Sequence, residues 1–237
     1  MPPSRRARLL ACITTAAAAA AAAAAPSSLA LPLDADQLAA SAASAVAELL
    51  SYYNASTGEF GPPQDIPFWT TANALEALSN YYALTGDASV LATIGDAHAK
   101  VAHLYCDCWR DDHLWWSLAW ARAAEVTGSS LYLDTAQAIF YNVTVAWASW
   151  NTTCGGIGWE AKNPYVNSIT NELFLSAATK LWLMTGNTTQ LANYTYAGWA
   201  TAEYDWFMGT PLVQPSGLVI DGLDTHSCNR TQGAIWT

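Results

Sequence analysis

The chain has 237 residues, of which 52% are hydrophobic and 12% charged, a composition that excludes a disordered protein and a mini-protein stabilised by disulfides alone. Nineteen acidic residues outnumber nine basic ones, which gives a formal net charge of −10. This charge disfavours binding to nucleic acid or to anionic membrane surfaces. The 12 tryptophans and 11 tyrosines exceed the needs of a core, and flat rings with a polar edge suit sugars and proteins equally as partners.

The first 30 residues have the pattern of a secretory signal peptide. Three arginines precede residue 9, an apolar, alanine-rich stretch covers residues 9–25, and residues 28–30 form the small-x-small cleavage pattern Ser-Leu-Ala. A transmembrane span is the alternative, but alanine is only weakly apolar. Cleavage after residue 30 would leave a domain over residues 31–237 with a net charge of −13.

Cysteine usage agrees with secretion, because four cysteines follow the signal peptide and can form two disulfides. They are Cys106, Cys108, Cys154 and Cys228. Three pairings are possible, but a bond between the first two would be strained, which favours links from that pair to Cys154 and Cys228. The alternative is a metal site formed by His103, Cys106, Cys108 and His113, whose spacing matches no common zinc framework.

Six N-x-Ser/Thr sequons, none with proline in the middle position, give a third argument for secretion. They begin at Asn54, Asn142, Asn151, Asn187, Asn193 and Asn229. Because a glycosylated asparagine must face solvent, we expect Asn142, Asn187 and Asn193 to mark the outer surfaces of their elements.

The chain repeats a unit in which an apolar-periodic stretch ends in Thr-Gly and a second such stretch follows. The Thr-Gly pairs are at residues 85–86, 127–128 and 185–186. A glycine just past a helix takes the left-handed conformation that closes it, and the residues that follow, Asp87, Ser129 and Asn187, can cap the next helix. Each unit is therefore predicted to be a helical hairpin.

The apolar spacing predicts an all-helical chain of seven helices without a convincing strand. The helices cover about residues 36–54, 69–85, 88–105, 112–127, 130–148, 167–185 and 188–208. Stacked hairpins place the short Thr-Gly turns on one rim and the longer loops on the other rim, where we expect function. Seven helices are too few for a closed helical toroid, so we expect this chain to be an N-terminal fragment.

Asp111 and Asp112 are the candidates for catalysis, since they fall at a helix N-terminus on the long-loop rim. Glycoside hydrolysis requires one protonated and one ionised carboxyl group, about 5–5.5 Å apart in retaining enzymes, which neighbouring residues can provide. Like charges this close also help one carboxyl to keep its proton. One alternative is that Asp111 is an N-cap and Asp112 a favourable first-turn charge. Another is a magnesium-diphosphate site, which needs a further acidic residue where this chain has Trp115.

Five ordered motifs carry a family resemblance. They are Asp111-Asp112-x-x-Trp115-Trp116-x-Leu118-Ala119, Thr127-Gly128-x-x-x-Tyr132-Leu133, Cys154-Gly155-Gly156-Ile157, Ile169-Thr170-Asn171-Glu172-Leu173-Phe174 and Gly217-Leu218-Val219-x-Asp221-Gly222. From about residue 69 to its end, the chain resembles glycoside hydrolase family 76, the endo-α-1,6-mannanases. The resemblance implies an (α/α)6 toroid and retaining cleavage of α-1,6-linked mannan, with Asp111 as the nucleophile and Asp112 as the acid/base. It also implies that further hairpins follow Thr237.

Seven residues are predicted to contact the substrate. They are Trp69, Asn73, Trp115, Trp116, Asn171, Glu172 and Asp221. Each has a structural alternative: Trp69 can belong to the core, Asn171 can support the site without touching sugar, and Glu172 can complement a helix dipole. Asp221 and Asp224 flank a glycine and can form a simple turn.

Three functions remain open for such a chain. The first is hydrolysis of α-1,6-mannan or of a mannoprotein glycan outside the cell or in the cell wall. The second is transfer of a glycan to wall polymer through the same covalent intermediate. The third is a catalytically inactive mannan-binding or wall-structural protein. We expect no cofactor and no metal, and His113 is predicted to be exposed rather than catalytic.

Overall fold

The structure is a computed structural model that describes residues 34–61, 68–102, 109–149, 154–160, 165–186, 190–191, 194–224, 226–229 and 235–236. The chain divides into two compact units, residues 1–40 and 41–237. Several predictions lie outside the described residues. They concern the signal peptide over residues 1–30, the metal ligand His103, the cysteines Cys106 and Cys108, and the sequons at Asn151, Asn187 and Asn193.

Seven α-helices occupy the described residues, in the predicted number and order. They are α1 (Ala35–Ser51), α2 (Phe68–Thr85), α3 (Leu91–Val101), α4 (Arg110–Thr127), α5 (Ser130–Ser149), α6 (Ser168–Thr185) and α7 (Tyr196–Gly209). A 3-10 helix over Ala88–Val90 precedes α3, because the Asp87 carboxylate accepts a hydrogen bond from Ser89 N at 3.0 Å and closes a tighter turn. Within the described residues, no helix is long and apolar enough to cross a membrane.

The strands of the described chain are only two residues long, so the prediction that no extended strand occurs is confirmed. They are β1 (Tyr53–Asn54), β2 (Glu59–Phe60), β3 (Val166–Asn167), β4 (Gln190–Leu191), β5 (Tyr194–Thr195), β6 (Val219–Ile220), β7 (Gly222–Leu223) and β8 (Ile235–Trp236). The antiparallel pairs are β1–β2, β3–β7, β4–β5 and β6–β8. In β3–β7, Val166 lies opposite Leu223 and Asn167 opposite Gly222. This pairing joins the N-terminus of α6 to a segment more than 50 residues later in the chain.

The last helix begins eight residues later than the predicted start at residue 188. The chain first forms the β4–β5 hairpin. Thr195 then caps α7, with its side-chain hydroxyl accepting a hydrogen bond from Gly198 N at 3.2 Å. The backbone of Thr195 is extended, so the cap ends the helix on its N-terminal side. The apolar periodicity of the sequence does not reveal this cap.

Each Thr-Gly pair ends a helix as predicted, and Gly128 is left-handed, but Gly186 has φ +72° and ψ −169°, outside the left-handed helical region. The third pair is also not followed by the predicted short turn into a helix, because α7 begins at Tyr196. The glycines at 86, 128 and 186 have φ values of +72°, +71° and +72°. Each preceding threonine donates its hydroxyl hydrogen bond to the carbonyl four residues earlier, at 2.6–2.8 Å. The same local chemistry thus ends α2, α4 and α6.

The inner helices α2, α4 and α6 lie side by side and run in the same direction. Near the start of α2, the Phe68 ring lies 5.0 Å from the Trp116 ring of α4, and further along Arg122 Nε of α4 donates to Asn80 Oδ1 of α2 at 2.7 Å. Lys180 of α6 binds Glu125 of α4 at 2.5 Å near their C-terminal ends. The N-termini of all three helices therefore lie on the long-loop rim, as predicted.

A buried aromatic cluster holds the hairpins together. Trp116 stacks on Trp120 at a centroid distance of 5.7 Å, and Phe140 of α5 stacks on Phe174 of α6 at 4.7 Å. All four side chains are at most 1% exposed. Complete burial of a large aromatic side chain stabilises the fold by roughly 2–3 kcal/mol, so these rings fix the spacing of the helices.

The described disulfide joins Cys154 to Cys228, with Cα atoms 5.2 Å apart. The prediction that these two cysteines bond to Cys106 and Cys108 instead is therefore wrong. The reason is the β3–β7 pairing, which returns the loop after Leu223 to the segment before α6. There, Cys154 Sγ also lies 3.6 Å from the carbonyl oxygen of Asp224. Sequence separation, here 74 residues, gave no sign of that proximity.

Candidate active site

Asp111 and Asp112 lie inside the first turn of α4, because the helix begins at Arg110. The N-cap residue is Trp109, which makes no side-chain capping bond. Asp111 is therefore not the N-cap, and its Oδ1 accepts a hydrogen bond from Asp112 N at 3.1 Å. Both carboxyl groups lie at the positive end of the helix dipole, where negative charge is stabilised.

Trp159 contacts Asp111 directly. Its indole Nε1–H is shared between Asp111 Oδ1 and Oδ2, at 3.1 Å each. The Trp159 backbone N–H donates to Tyr165 O at 2.6 Å, and its carbonyl accepts from Arg110 N at 2.8 Å. The loop before α6 is thus bound at the start of α4, with one side-chain donor aimed at one of the two aspartates.

The two aspartates differ in their electrostatic environment. Burial and the neighbouring Asp111 charge raise the pKa of Asp112 to about 7, and this side chain belongs to a residue only 5% exposed. Burial also raises the pKa of Asp111, but the Trp159 N–H and backbone N–H groups oppose that effect. At neutral pH, Asp112 is therefore the better proton carrier and Asp111 the better anion.

A second pair of acidic residues lies in a cleft of about 520 Å³. Its lining consists of Ser168, Ile169, Glu172, Gly217, Leu218, Val219, Ile220 and Asp221. Burial raises the pKa of Glu172. The structure thus brings Glu172 and Asp221 together, two of the residues predicted to contact the substrate.

Asp221 is also connected to the Asp111 side of the rim. Tyr165 OH donates to Asp221 Oδ2, and the Asp221 carbonyl accepts from Ser168 N at 2.7 Å. The Tyr165 hydroxyl occupies the space that a Cβ on Gly222 would need, which explains the glycine after Asp221 in the motif. A chain of contacts therefore runs from Asp221 through Tyr165 and Trp159 to Asp111.

Asn171 supports the site without facing it. The residue is completely buried, its Oδ1 accepts from Ile157 N at 2.8 Å, and its Nδ2 donates to Ile157 O at 3.1 Å and to Asn167 O at 2.7 Å. All the hydrogen bonds are made within the protein. The prediction that Asn171 contacts sugar is thus corrected to the supporting role.

The tryptophans of the motif at Asp111 divide into two environments. The Trp115 ring is half-buried and lies 6.3 Å from the ring of Trp69, which is 39% exposed. Half-buried Asn73 follows Trp69 by one turn of α2. Trp116 lies in the core at 1% exposure, so the prediction that it binds substrate is wrong. Adjacent residues of a helix point about 100° apart, so the two rings face different surroundings.

The remaining predicted side chains have other surroundings. The Asp224 carboxylate accepts from the backbone N–H groups of His226 and Ser227, at 3.1 and 2.8 Å, so it forms a turn. His113 is half-buried, not exposed as predicted. Asn142 and Asn229 are exposed. In the part of the chain that the structure describes, His, Cys, Asp and Glu form no group that could hold a metal ion.

Trp159 and Tyr165 were not found by sequence reasoning. A signal existed for Trp159, since it stands two residues after the Cys-Gly-Gly-Ile motif at residues 154–157. That motif is explained by Trp206, whose ring packs where Cβ atoms on Gly155 and Gly156 would lie and whose Nε1 donates to Cys154 O at 3.0 Å.

Residues 37–237 match the model of Glycosyl hydrolase family 76. The chain belongs to this family. Its fold is similar to that of the α-1,6-mannanase GH76A from Salegentibacter sp., with a TM-score of 0.69 at 23% identity, covering 81% of this chain and 58% of that one. For a family 76 mannosidase from Bacteroides thetaiotaomicron, the TM-score is 0.66 at 18% identity, covering 84% and 60%.

A third similar structure is Dfg5 from Chaetomium thermophilum in complex with glucosamine, with a TM-score of 0.69 at 22% identity, covering 83% of this chain and 54% of that one. The comparison with curated proteins gave no match. The predicted family and the helical (α/α)6 fold class are thereby confirmed. The chain spans between about half and three fifths of the length of these solved relatives.

Proposed function

We propose that this family 76 protein is a secreted glycoside hydrolase that cleaves α-1,6-mannosidic linkages in mannan with retention of anomeric configuration. The observation that carries the proposal is the pair of adjacent carboxyl groups in the first turn of α4. One of them, Asp111, accepts a side-chain hydrogen bond, and the other, Asp112, is buried with a pKa of about 7. A retaining hydrolase needs this division between an anion and a proton donor.

The two residues supply the two steps of the reaction. Asp111 attacks the anomeric carbon and forms a glycosyl ester while the glycosidic C–O bond breaks, and Asp112 gives its proton to the departing oxygen. Asp112, now a carboxylate, then takes a proton from a water molecule that attacks the same carbon. The ester bond breaks, the sugar leaves with a new hydroxyl group, and both carboxyl groups return to their initial state.

The substrate class is supported by the solved relatives. Inactive variants of the Salegentibacter α-1,6-mannanase, in which two consecutive aspartates are replaced, have been solved with α-1,6-mannotetrose and α-1,6-mannotriose. In the present chain, the Trp69–Trp115 ring pair on the same rim offers apolar faces on which pyranose rings can stack. No nucleic-acid or membrane partner is proposed.

The proposal is tested with Asp111→Asn and Asp112→Asn, assayed on α-1,6-mannan and on an activated aryl mannoside. Asp111→Asn should abolish turnover of both substrates, because no glycosyl ester can form. Asp112→Asn should lose turnover of mannan by orders of magnitude but keep more of the first step on the aryl mannoside, whose leaving group needs little protonation. Asp205→Asn, which removes an exposed carboxylate of α7, is the charge control. Near-normal mannan turnover by both site variants would show that the aspartates are only structural.

Secretion rests on the N-terminal pattern of residues 1–30, on the sequons, of which Asn142 and Asn229 are exposed, and on the Cys154–Cys228 disulfide. Sequencing the N-terminus of the protein recovered from culture medium should give a chain that begins at residue 31. Recovery of an uncleaved protein from the cytoplasm alone would contradict secretion.

A second candidate function is transfer of a glycan to cell-wall polymer, in which a sugar hydroxyl replaces water in the second step. The observation that favours it is the similarity to Dfg5, whose structure contains glucosamine, since the carboxylates Glu172 and Asp221 in one cleft suit an ammonium group. Product analysis with an added amino-sugar acceptor separates the two functions: transfer gives a longer glycan, and hydrolysis gives a new reducing end. Binding of mannan without either product would favour the inactive, wall-structural alternative.

A further inference from the structure

One tryptophan distinguishes the two carboxyl groups of the candidate catalytic pair. Trp159 Nε1–H points at the Asp111 carboxylate, and its two distances of 3.1 Å are equal. Within the described residues, the Asp112 carboxylate accepts no comparable side-chain hydrogen bond. A donor N–H stabilises a carboxylate anion more strongly than the protonated acid, so this contact favours ionisation of Asp111 over ionisation of Asp112.

The donor is fixed in place by the backbone around it. The peptide groups of Trp159 bond on one side to Arg110 N and on the other to Tyr165 O. The Arg110 guanidinium donates to Gly158 O at 3.0 Å, and Trp109 pairs with Glu160 in an isolated antiparallel bridge. Since none of these contacts uses the indole N–H, the loop can hold its position when the ring alone is changed.

We propose that Trp159 is a positioning residue that assigns the roles in the pair: it holds the Asp111 carboxylate as the anion and thereby leaves Asp112 as the proton carrier. The consequence of this inference for catalysis rests on the proposed function. The protonation states of the two aspartates do not depend on it. During catalysis, the Trp159 N–H orients the two carboxylate oxygens of Asp111 before attack. This hydrogen bond must weaken when one of those oxygens forms the glycosyl ester.

Other charged groups share this rim and bear on the titration of Asp111. Those on α4 are Arg110, Asp112 and His113, Glu160 lies on the Trp159 loop, and Glu172 and Asp221 line the neighbouring cleft. A comparison between variants that leave all of them intact separates the hydrogen bond from their combined field. Trp159→Phe is such a variant, because it removes the N–H and keeps an aromatic ring.

The matched control is Trp109→Phe. The Trp109 ring lies 6.3 Å from the Trp159 ring and is 42% exposed, and its side chain makes no capping bond. This substitution changes an equally large aromatic side chain on the same rim without removing the donor to Asp111.

The test measures protonation by NMR on protein with 13C-labelled aspartate carboxyl groups, with the Asp111 signal assigned through its loss in Asp111→Asn. In Trp159→Phe, the Asp111 titration midpoint should rise by about one pH unit, the effect of losing one hydrogen bond to a charged group. In Trp109→Phe it should not move. An unchanged midpoint in Trp159→Phe would overturn the inference, whether or not the chain hydrolyses mannan.

Two further measurements keep the outcomes distinct. If Trp159→Phe does not fold, the wild-type protein with 15N-labelled indoles gives the answer: one indole N–H signal should follow the Asp111 titration and lose that pH dependence in Asp111→Asn, and its absence would overturn the inference. In the mannan assay, Trp159→Phe should lower kcat about tenfold and move the acidic limb of the pH profile to higher pH. A shifted midpoint in a chain without turnover would support the positioning role and reject the proposed function.

Discussion

Asn171 and Ile157 are joined by two hydrogen bonds that use the amide of the side chain as a substitute for a neighbouring strand. Asn171 Oδ1 accepts from Ile157 N at 2.8 Å, and Nδ2 donates to Ile157 O at 3.1 Å. This pairing attaches the Gly155–Gly156 loop, and through it the Trp159 segment, to the first turn of α6. Since Asn171 is completely buried, the contact is protected from competition by water.

We expect Asn171→Ala to lower the free energy of unfolding by about 3 kcal/mol, because it leaves several buried backbone groups without a partner. Glu172→Gln, at the next position of α6 but half-exposed, should change stability by less than about 1 kcal/mol. Urea unfolding followed by tryptophan fluorescence measures both variants. If Asn171→Ala were as stable as the wild type but bound mannooligosaccharide more weakly, the residue would be a substrate contact after all.

The helices were predictable because their determinants are local. Apolar spacing and the Thr-Gly pairs identified the ends of α2, α4 and α6, and the hydroxyl-to-carbonyl bonds of Thr85, Thr127 and Thr185 depend on residues only four positions apart. The start of α7 was predicted wrongly because the signals that set it are too short for a periodicity to detect. They are the β4–β5 hairpin, whose strands have two residues each, and a threonine cap.

The site was predictable only in part, because its decisive contacts connect distant segments. Asp111 and Asp112 could be selected from an adjacent pair of acids, but the donor to Asp111 comes from Trp159, 48 residues away. The Cys154–Cys228 bond likewise depends on the β3–β7 pairing. No local pattern distinguishes Trp115 from Trp116 either, because which of two adjacent helical residues faces the core is decided by the neighbouring helix.

Trp115 and Trp116 should respond differently to truncation. Trp116→Ala should destabilise the protein by about 3–5 kcal/mol, since it creates a cavity between the Phe68 and Trp120 rings. Trp115→Ala should cost clearly less stability but weaken binding of α-1,6-mannooligosaccharides about tenfold, because the ring pair with Trp69 is lost. Thermal unfolding and titration calorimetry measure the two effects. Equal binding by Trp115→Ala and the wild type would remove this ring pair from the substrate site.

Glu203 should make the protein less stable as the pH rises. The residue is completely buried in α7, neither carboxyl oxygen has a hydrogen-bond partner within the described residues, and burial raises its pKa to about 8. Since the unfolded chain releases this proton near pH 4.5, the folded state binds more protons between about pH 4.5 and 8. The stability contribution of the protonated carboxyl group is therefore fully present below that window, and the free energy of unfolding falls by about 1.4 kcal/mol per pH unit within it.

Replacing Glu203 by methionine, which is similarly long and apolar, should remove this part of the pH dependence and stabilise the protein at pH 8 by about 2–4 kcal/mol. The control is Asp205→Asn, on the exposed face of the same helix, which should leave the pH dependence unchanged. Urea midpoints between pH 5 and 8 give the comparison. A Glu203→Met protein that lost stability at every pH would indicate that the carboxyl group has a favourable partner.

The pH dependence of mannan cleavage should identify Asp112 as the acid. Activity requires its protonated form, and its pKa of about 7 places the loss of that form above neutrality. The rate kcat/KM on α-1,6-mannan should therefore fall as the pH rises beyond about 7, approaching tenfold per pH unit. The first step on an activated aryl mannoside, which needs little protonation of its leaving group, should lack most of this decline.

The Asp205→Asn control should retain the wild-type profile on both substrates. Cleavage of mannan that stayed constant from pH 7 to pH 9 would mean that another group donates the proton, and the assignment of Asp112 would be wrong.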